Sequence, residues 1–272
     1  MERITSTRNR RVVDARKLVH RKHRKRQGRF LVEGLQILHM ALDAGAEPVE
    51  VFYCEDFFTG KEAPALLKRF EQAGARLIPV APHVLQTLSE RETPQGIVAT
   101  FRLFEHALSD IRWEGDTFVL VLDRLQDPGN LGTLIRTADA VAAAAVILVE
   151  PCVDPFDPKT VRGSMGSIFN VPLVRVSSPE ALFHHLREHQ VRPIGADAHQ
   201  GVLWGEGLWQ GNVALVLGNE ARGLSDDVRE HIDLYARLPI VGRAESLNVA
   251  VAGGVLMYCW LHDHLARSGG DG

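Results

Sequence analysis

Polar side chains collect between two glycines near the C-terminal end of the chain, directly after a short apolar run. Gly218 and Gly223 bracket the segment 219–222, which contributes an Asn, a Glu and an Arg. Glycine lets the backbone turn tightly or approach a ligand closely, so this segment is a candidate for holding a bound polar molecule. The apolar run at residues 213–217 favours a strand that is buried on both faces.

A second polar group stands at the start of the last long helix that the pattern predicts. Residues 234–238 favour a short strand, and residues 239–245 favour a loop. Ser246 then suits the N-cap of a helix that begins near Leu247. A helix N-terminus attracts anions, so Ser246 and Asn248 are candidates for contacting a phosphate group. The helix is apolar almost all round, which predicts that it is buried.

An earlier strand-to-helix junction carries the remaining candidates. Residues 117–123 favour a buried strand, and the segment 127–139 that follows reads DPGNLGTLIRTAD. Asn130 lies near the start of a helix that we expect to run to about residue 141. Asn130 suits a helix N-cap, a side chain that orients a ligand, or both. Arg136 lies between one and two helical turns further along.

Together these segments resemble a known family. GNEARG, followed by LP and SLNVA, resembles two signature blocks of the SpoU/TrmH family of SPOUT methyltransferases, and the earlier NLGTLIRT resembles the third. The resemblance is specific, because three blocks occur in the right order over more than a hundred residues. It implies an enzyme that uses S-adenosylmethionine to methylate a ribose 2'-hydroxyl of structured RNA, with ribosomal RNA favoured.

The resemblance also implies a cofactor pocket made of backbone and apolar walls. Three residues occupy family positions and three more are expected neighbours: Gly218, Leu238, Leu247, Leu217, Ile240 and Ala196. None of the candidate residues is a convincing metal ligand, so we predict no metal site.

Methyl transfer to a ribose needs in-line geometry, loss of the hydroxyl proton and a fixed phosphate. Arg136 corresponds to the arginine that the family places at the reaction centre, sometimes as a general base. A guanidinium has a pKa above about 12, so a clamp on phosphate and developing alkoxide is easier to defend; its role in proton transfer stays open. We expect Asn130 to orient Arg136 or the substrate and Glu220 to hold Asn130, Arg136 or a loop in place. We expect Ser246 and Asn248 to contact phosphate.

Strands and helices alternate along the whole chain, which predicts an α/β protein of two domains. We assign residues 1–105 to a small α/β RNA-binding domain, 106–116 to a linker and 117–268 to the catalytic domain. The second domain should contain a mostly parallel sheet with helices on both faces, and its ligands should lie at the carboxyl ends of the strands. The resemblance adds a trefoil knot and a homodimer formed through the knotted domain.

The N-terminal segment is strongly basic. Residues 1–29 hold twelve Lys or Arg and two acidic residues, which gives this segment a charge of +10. The net charge of the whole chain is −3, so the remaining residues carry −13. Such asymmetry favours a nucleic-acid partner. We expect one helix over residues 4–26. Its candidate phosphate contacts are Arg8, Arg10, Arg11, Lys17, Arg21, Lys22, Arg24, Lys25 and Arg26.

Other features place the protein in the cytoplasm. Its three cysteines, Cys54, Cys152 and Cys259, lie far apart and suit buried thiols in a reducing compartment. The charged N-terminus has no apolar signal-peptide region, and no apolar run has the length of a membrane span.

Three alternatives remain beside ribosomal RNA methylation. Transfer RNA is the second candidate substrate. A non-catalytic RNA-binding protein would be expected to have lost Arg136 or the SLN segment, and both are intact. A nucleotide-dependent dehydrogenase is disfavoured, because the loop at Gly129 and Gly132 does not have the G-x-G-x-x-G pattern.

Overall fold

A computed structural model describes residues 2–205 and 207–268. The chain divides into two compact units, and each contains one sheet. Unit 1 comprises Met1–Phe104 with Asp154–Asn170, and unit 2 comprises Glu105–Val153 with Val171–Gly272. Among the described residues, every helix is too short or too polar to cross a membrane.

The elements alternate as the sequence predicts. The strands are β1 (Arg29–Glu33), β2 (Pro48–Tyr53), β3 (Arg76–Pro79), β4 (Ile97–Arg102), β5 (Phe118–Asp123), β6 (Ala145–Val149), β7 (Leu173–Val176), β8 (Arg192–Ala196), β9 (Val202–Leu203), β10 (Val213–Leu217) and β11 (Leu234–Arg237). The helices are α1 (Arg10–Arg16), α2 (Arg21–Gln27), α3 (Leu35–Asp43), α4 (Glu62–Gln72), α5 (Pro82–Gln86), α6 (Pro128–Ala140), α7 (Pro158–Gly163), α8 (Pro179–Glu188), α9 (Asp226–Arg229) and α10 (Val249–Ser268). The two-residue strand β9 was not predicted.

Unit 2 is built on a seven-stranded parallel sheet with the strand order β7-β6-β5-β10-β8-β11-β9. This confirms the predicted α/β class and the parallel sheet. Strand β10 inserts between β5 and β8, so the loops after β5 and β10 leave the same edge side by side. The predicted trefoil knot stays a prediction.

Helices cover both faces of this sheet, which explains why β10 and most of β5 are apolar. On one face, Val119 and Val121 of β5 belong to a core cluster with Phe183 of α8. On the other face, the ring of Phe118 lies 4.8 Å from the ring of Trp260 in α10. A strand buried on both faces is expected to be apolar, as β10 is throughout and β5 is up to its last residue, Asp123.

Helix α10 lies close against α6 and β10 because of a glycine. A Cβ atom on Gly253 would lie 2.6 Å from Cδ1 of Leu217 and 2.7 Å from Cδ2 of Leu134. Only a residue without a side chain fits at this crossing. The start of α10 is thereby held beside the loops after β5 and β10.

Unit 1 contains a four-stranded mixed sheet with the order β1-β4-β2-β3, in which β4 pairs antiparallel with both β1 and β2. The segment Asp154–Asn170 packs in this unit, although the sequence placed it within the catalytic domain. It contributes Phe156 and Phe169 to an aromatic cluster. The ring of Phe156 lies 4.7 Å from that of Phe30, and the ring of Phe169 lies 5.6 Å from that of Phe101.

The single helix predicted for residues 4–26 is wrong. Helix α1 ends in a 3-10 turn at Lys17–Val19, and His20 is extended before α2 begins. The break is stabilised by Arg24, whose guanidinium donates to the carbonyl oxygens of Leu18 at 2.8 Å and Val19 at 2.9 Å. Carbonyl groups left without a helical partner are satisfied in this way.

Arg24 also corrects the predicted set of RNA contacts. Its side chain is only 2% exposed, and its Nη2 atom lies 2.9 Å from Oδ2 of Asp154. A guanidinium that is buried and occupied by a carboxylate is unavailable to a phosphate. Arg24 is therefore a structural residue of unit 1.

Replacement of Arg24 should destabilise the protein strongly. Arg24→Ala removes the buried guanidinium that pairs with Asp154 and leaves two carbonyl groups without a donor, at a cost of about 3–5 kcal/mol. The neighbouring Lys25 is exposed, so Lys25→Ala should change stability by less than about 0.5 kcal/mol. Urea unfolding of both variants measures the difference, and equal midpoints would contradict a structural role for Arg24.

Candidate active site

The carboxyl ends of three neighbouring strands of unit 2 and the start of α10 enclose a cavity of about 320 Å³. All six residues predicted to bind a cofactor line it: Ala196, Leu217, Gly218, Leu238, Ile240 and Leu247. Three of the predicted catalytic residues, Glu220, Ser246 and Asn248, line the same cavity. The loops that carry these residues are far apart in the chain, and the parallel sheet brings them to one edge.

A hydrogen-bond network joins the loops after β5 and β10. The Oε1 atom of Glu220 accepts from Nδ2 of Asn130 at 3.1 Å and from the backbone N–H of Asp127 at 3.1 Å. Its Oε2 atom accepts from the backbone N–H of Gln126 at 3.3 Å. One carboxylate therefore fixes both the start of α6 and the side chain of Asn130.

Asn248 extends this network to α10. Its Nδ2 atom donates to Oδ1 of Asn130 at 3.0 Å, and its Oδ1 atom accepts from the backbone N–H of Ala250 at 2.9 Å. Asn248, rather than Ser246, thus caps α10, and the predicted cap at Ser246 is wrong. The helix starts at Val249, two residues later than predicted, which leaves the Ser246 side chain in the cavity lining without a capping role.

The cap of α6 is likewise supplied by a neighbouring residue. Oδ1 of Asp127 accepts from the backbone N–H of Asn130 at 2.7 Å. The Asn130 side chain is thereby released from capping and joins Glu220 and Asn248. Asn130 is therefore not the N-cap of α6, and its role in orienting Arg136 or the substrate stays a prediction.

Glu220 is held in its ionised form. Partial burial raises the pKa of its carboxyl group, but hydrogen bonds from its own backbone, from Asn130 and from the N–H groups of Asp127 and Gln126 outweigh burial and lower the pKa below its usual value. At neutral pH the carboxylate is an acceptor only. It therefore selects the orientation in which the Asn130 amide nitrogen faces it.

The loop after β10 is tightly closed. Asn219 and Gly223 form an isolated antiparallel bridge, and the side chain of Asn219 donates from Nδ2 to the carbonyl oxygen of Arg124 at 2.9 Å. A Cβ atom on Gly218 would lie 2.2 Å from the carbonyl carbon of Gly223. No side chain fits there, so the glycine requirement predicted from sequence has a steric cause.

Sequence reasoning missed one polar residue in the lining, Asp197, whereas Asn219, which also lines the cavity, belongs to the segment 219–222 that was predicted to hold a ligand. Asp197 directly follows β8, a position that would have identified it, since carboxyl ends of parallel strands hold ligands. Burial raises the pKa of the Asp197 carboxyl group, but hydrogen bonds from His199 and Gln200 outweigh this effect. The pKa of Asp197 therefore lies below its usual value. Asp197 thus offers an ionised acceptor at the edge of the cavity.

Arg136 does not lie in this cavity. It is exposed on α6, six positions after Asn130, and it is absent from the lining. Six residues correspond to about 600° of rotation along a helix, so the two side chains leave α6 in different directions. Thr133 and Thr137, on either side of it, instead line a groove between α6 and α10.

Most of the predicted RNA contacts in unit 1 are accessible. The exceptions beside Arg24 are Arg11, which is half-buried and forms an ion pair with Glu50, and Lys17, which is half-buried. The exposed members are Arg8, Arg10, Arg21, Lys22, Lys25 and Arg26. Within residues 2–205 and 207–268, no cluster of His, Cys, Asp and Glu has the arrangement of a metal site.

Comparison with known proteins gives two family matches. Residues 117–258 match the model of the SpoU rRNA Methylase family, and residues 9–99 match that of the MRM3-like substrate binding domain. The chain is 34% identical over 258 residues to the 23S rRNA (guanosine(2553)-2'-O)-methyltransferase RlmP of Bacillus subtilis strain 168. The aligned region covers 95% of this chain and 98% of that protein.

Solved structures are similar over nearly the whole chain. An AdoMet-bound rRNA methyltransferase from Sinorhizobium meliloti has a TM-score of 0.88 at 33% identity and covers 97% of this chain and 98% of its own. The SpoU methyltransferase AviRb from Streptomyces viridochromogenes, in complex with AdoMet, has a TM-score of 0.87 at 30% identity and covers 95% of this chain and 99% of its own. The similarity therefore includes both the basic N-terminal region and the cavity.

Exchange of the Asn130 amide for a carboxylate should disrupt the network in a pH-dependent way. Asn130→Asp places a second carboxylate against Glu220, which raises the pKa of the pair and destabilises the fold by about 1 kcal/mol more than Asn130→Ala at pH 7. As the pH falls, the pair takes up a proton and the repulsion is relieved. Thermal unfolding of both variants from pH 7 to pH 4 should show that the difference in stability between them shrinks. A constant difference would contradict the predicted repulsion between the two carboxylates.

Proposed function

Because the chain belongs to the SpoU rRNA Methylase family, we propose that it transfers a methyl group from S-adenosylmethionine to a ribose 2'-hydroxyl of large-subunit ribosomal RNA. The observation that carries this proposal is the convergence of Asn130, Glu220 and Asn248 beside the cavity of unit 2. Three of the curated relatives are named for ribose methylation of 23S rRNA. These names favour ribosomal RNA over transfer RNA as the substrate.

The cavity fits the cofactor. Leu217, Leu238 and Ile240 provide apolar walls for an adenine ring, and Gly218 lets backbone groups approach it closely. Asp197 suits the ribose hydroxyls, because an ionised carboxylate accepts hydrogen bonds from them. When bound, S-adenosylmethionine supplies an electrophilic methyl group on a sulfonium centre.

The residues beside the cavity orient the substrate. We assign Asn130 and Glu220 to fixing the reacting nucleotide or Arg136, and Ser246 with Asn248 to contacting its phosphate near the N-terminus of α10. Arg136 acts as a clamp on that phosphate and on the oxygen that develops negative charge. A guanidinium that stays protonated suits a clamp better than a general base.

A second copy of the chain completes this site. Val251, Tyr258 and Leu265 of α10 are 54%, 53% and 59% exposed and recur every seven residues, which is the spacing of a helix-packing seam. This stripe borders a groove of about 780 Å³ that is shared with Thr133 and Thr137 of α6. Arg136 lies on α6 between these threonines, so pairing through the seam is the route by which it reaches a partner's cavity.

Unit 1 grips the RNA. Its exposed basic residues, Arg8, Arg10, Arg21, Lys22, Lys25 and Arg26, supply phosphate contacts. Such contacts position the RNA without reading its sequence. A ribosomal RNA substrate is in keeping with the cytoplasmic location predicted from the sequence.

Labelled methyl groups from S-adenosylmethionine should transfer to ribosomal RNA, and the product should resist alkaline hydrolysis at one position, since a blocked 2'-oxygen cannot attack its phosphate. Arg136→Ala should lower the transfer rate by about 100-fold or more, because it removes a charge that acts in the transition state. Calorimetry should show S-adenosylhomocysteine affinity within about twofold of the unmodified chain.

Arg136→Lys is the matched variant, since it keeps the charge and loses the planar fork, and it should retain intermediate activity. Loss of S-adenosylhomocysteine binding in Arg136→Ala would contradict the clamp and assign the residue to pocket stability. Methylation of transfer RNA in preference to ribosomal RNA would reject the proposed substrate and keep the reaction.

Tyr258→Asp should convert a homodimer into a monomer, because it buries a charge at the centre of the seam. Sedimentation velocity measures the change, and Val241→Asp is the control, since Val241 is 100% exposed on a loop outside the seam. An unmodified chain that sediments as a monomer would contradict the dimer.

Mixing tests whether the second copy contributes Arg136. Arg136→Ala and Gly218→Ala chains should each be inactive alone. Co-folded together they should regain about a quarter of the full activity, since half of the dimers are mixed and each has one intact site. No recovery in mixed dimers whose formation sedimentation velocity confirms would show that Arg136 acts within its own chain.

A further inference from the structure

A groove of about 430 Å³ lies in unit 1, on a surface that the proposed reaction does not use. One wall is formed by the end of α1 and the following 3-10 turn, and the other by residues 87–90 after α5. We call it the α1 groove. Its floor includes Leu31 of β1, the edge strand of the unit 1 sheet. Its volume is within the range of roughly 300–1,000 Å³ that is typical of ligand pockets.

The floor of the α1 groove is apolar. Leu31 and Leu88 are 7% and 3% exposed, and they belong to the core cluster beneath the groove. Val13 and Val19 continue this surface up one wall, and Val19 is 38% exposed. His20, at the rim, offers an exposed aromatic ring. An apolar floor with an aromatic rim accepts a flat ring, and histidine is one of the side chains on which unpaired bases stack.

Uncompensated positive charge lies on the same wall. In the described part of the chain, neither Arg16 nor Lys17 forms an ion pair, whereas the nearby Arg24 and Arg29 are held by acidic partners. The one carboxylate in the lining, Glu90, is engaged by Arg162. The groove therefore combines a neutral floor with two cations that are available to an anion.

The positive field also acts on a neighbouring side chain. Partial desolvation lowers the pKa of His23, and the positive charges of Arg26 and Lys17 lower it further. A wall on which cations already disfavour further positive charge is stabilised by a bound polyanion.

We propose that the α1 groove binds one unpaired nucleotide of the RNA substrate, with its base over Leu31 and Leu88 and its phosphate on Arg16 and Lys17. This inference rests on the proposed function, because it assumes an RNA substrate. It assigns unit 1 a defined binding site for a single-stranded element, beyond a diffuse basic surface. An acidic peptide would use the two cations but has no flat ring for the floor.

The first test removes the two cations. Arg16→Ala/Lys17→Ala should weaken binding of an eight-nucleotide oligouridylate by about tenfold and reduce the salt dependence of binding. Lys68→Ala/Arg76→Ala is the matched control, since it removes one Lys and one Arg that are exposed elsewhere in unit 1. Fluorescence anisotropy measures both, and equal effects of the two pairs would overturn the proposal.

The second test keeps the backbone and changes the charge at one position. Val19→Glu should weaken oligouridylate binding by about tenfold, and Val19→Lys should not, although both residues are long and polar. Equal losses in the two variants would show that only the apolar wall was damaged and would overturn the phosphate assignment.

Cross-linking locates the site directly. An oligouridylate containing 4-thiouridine should cross-link to residues 13–20 or 87–90, and unlabelled oligouridylate should compete while polyglutamate should not. Cross-links elsewhere, or equal competition by polyglutamate, would overturn the nucleotide site.

If the unmodified chain methylates no RNA, the proposed function fails. If it does methylate RNA and the α1 groove variants match their control, only this inference fails.

Discussion

The carboxylate of Glu220 is the constraint on which the site depends. It is ionised and partly desolvated, so it requires donors, and it obtains them from Asn130 and from the backbone of the loop after β5. A charged group without such partners would be costly at this position. Satisfying one residue therefore orders two loops, and the Asn130 side chain that results is the one that Asn248 contacts.

The sheet makes this contact available. Strands β5 and β10 are direct neighbours in parallel register, so their carboxyl ends and the loops that follow them are adjacent. Helix α10 then returns over α6, and the absence of a side chain at Gly253 allows the close crossing that places Asn248 beside Asn130. The strands and helices that bound the cavity are positioned by packing in the core, and the hydrogen bond from Asn248 to Asn130 ties the exposed loop before α10 to them, which favours a preorganised site.

Much of this site could be predicted from sequence because its signals are local. Gly218 and Gly223 mark a closed loop, polar residues follow apolar runs, and the family pattern ties them together. The roles of individual side chains were less accessible. Ser246 and Asn248 are both good capping residues, and only the position where α10 begins decides that Asn248 is the cap. Likewise, the direction in which Arg136 leaves α6 depends on how the helix is rotated against the sheet, which no local pattern specifies.

The basic N-terminal segment shows why charge alone is a poor guide to contact. In sequence, Arg24 and Lys25 look equivalent, yet one is buried against Asp154 and the other faces solvent. The partner acid lies 130 positions away in the segment Asp154–Asn170, so no reading of the basic run alone could identify it. Part of the positive charge in this segment has a structural role, since the guanidinium of Arg24 donates to the carbonyl groups that are exposed where the helix breaks. A cation that folding buries against an acid cannot be assigned to phosphate, and that criterion excludes Arg24, whereas Arg16 and Lys17 form no ion pair among the described residues.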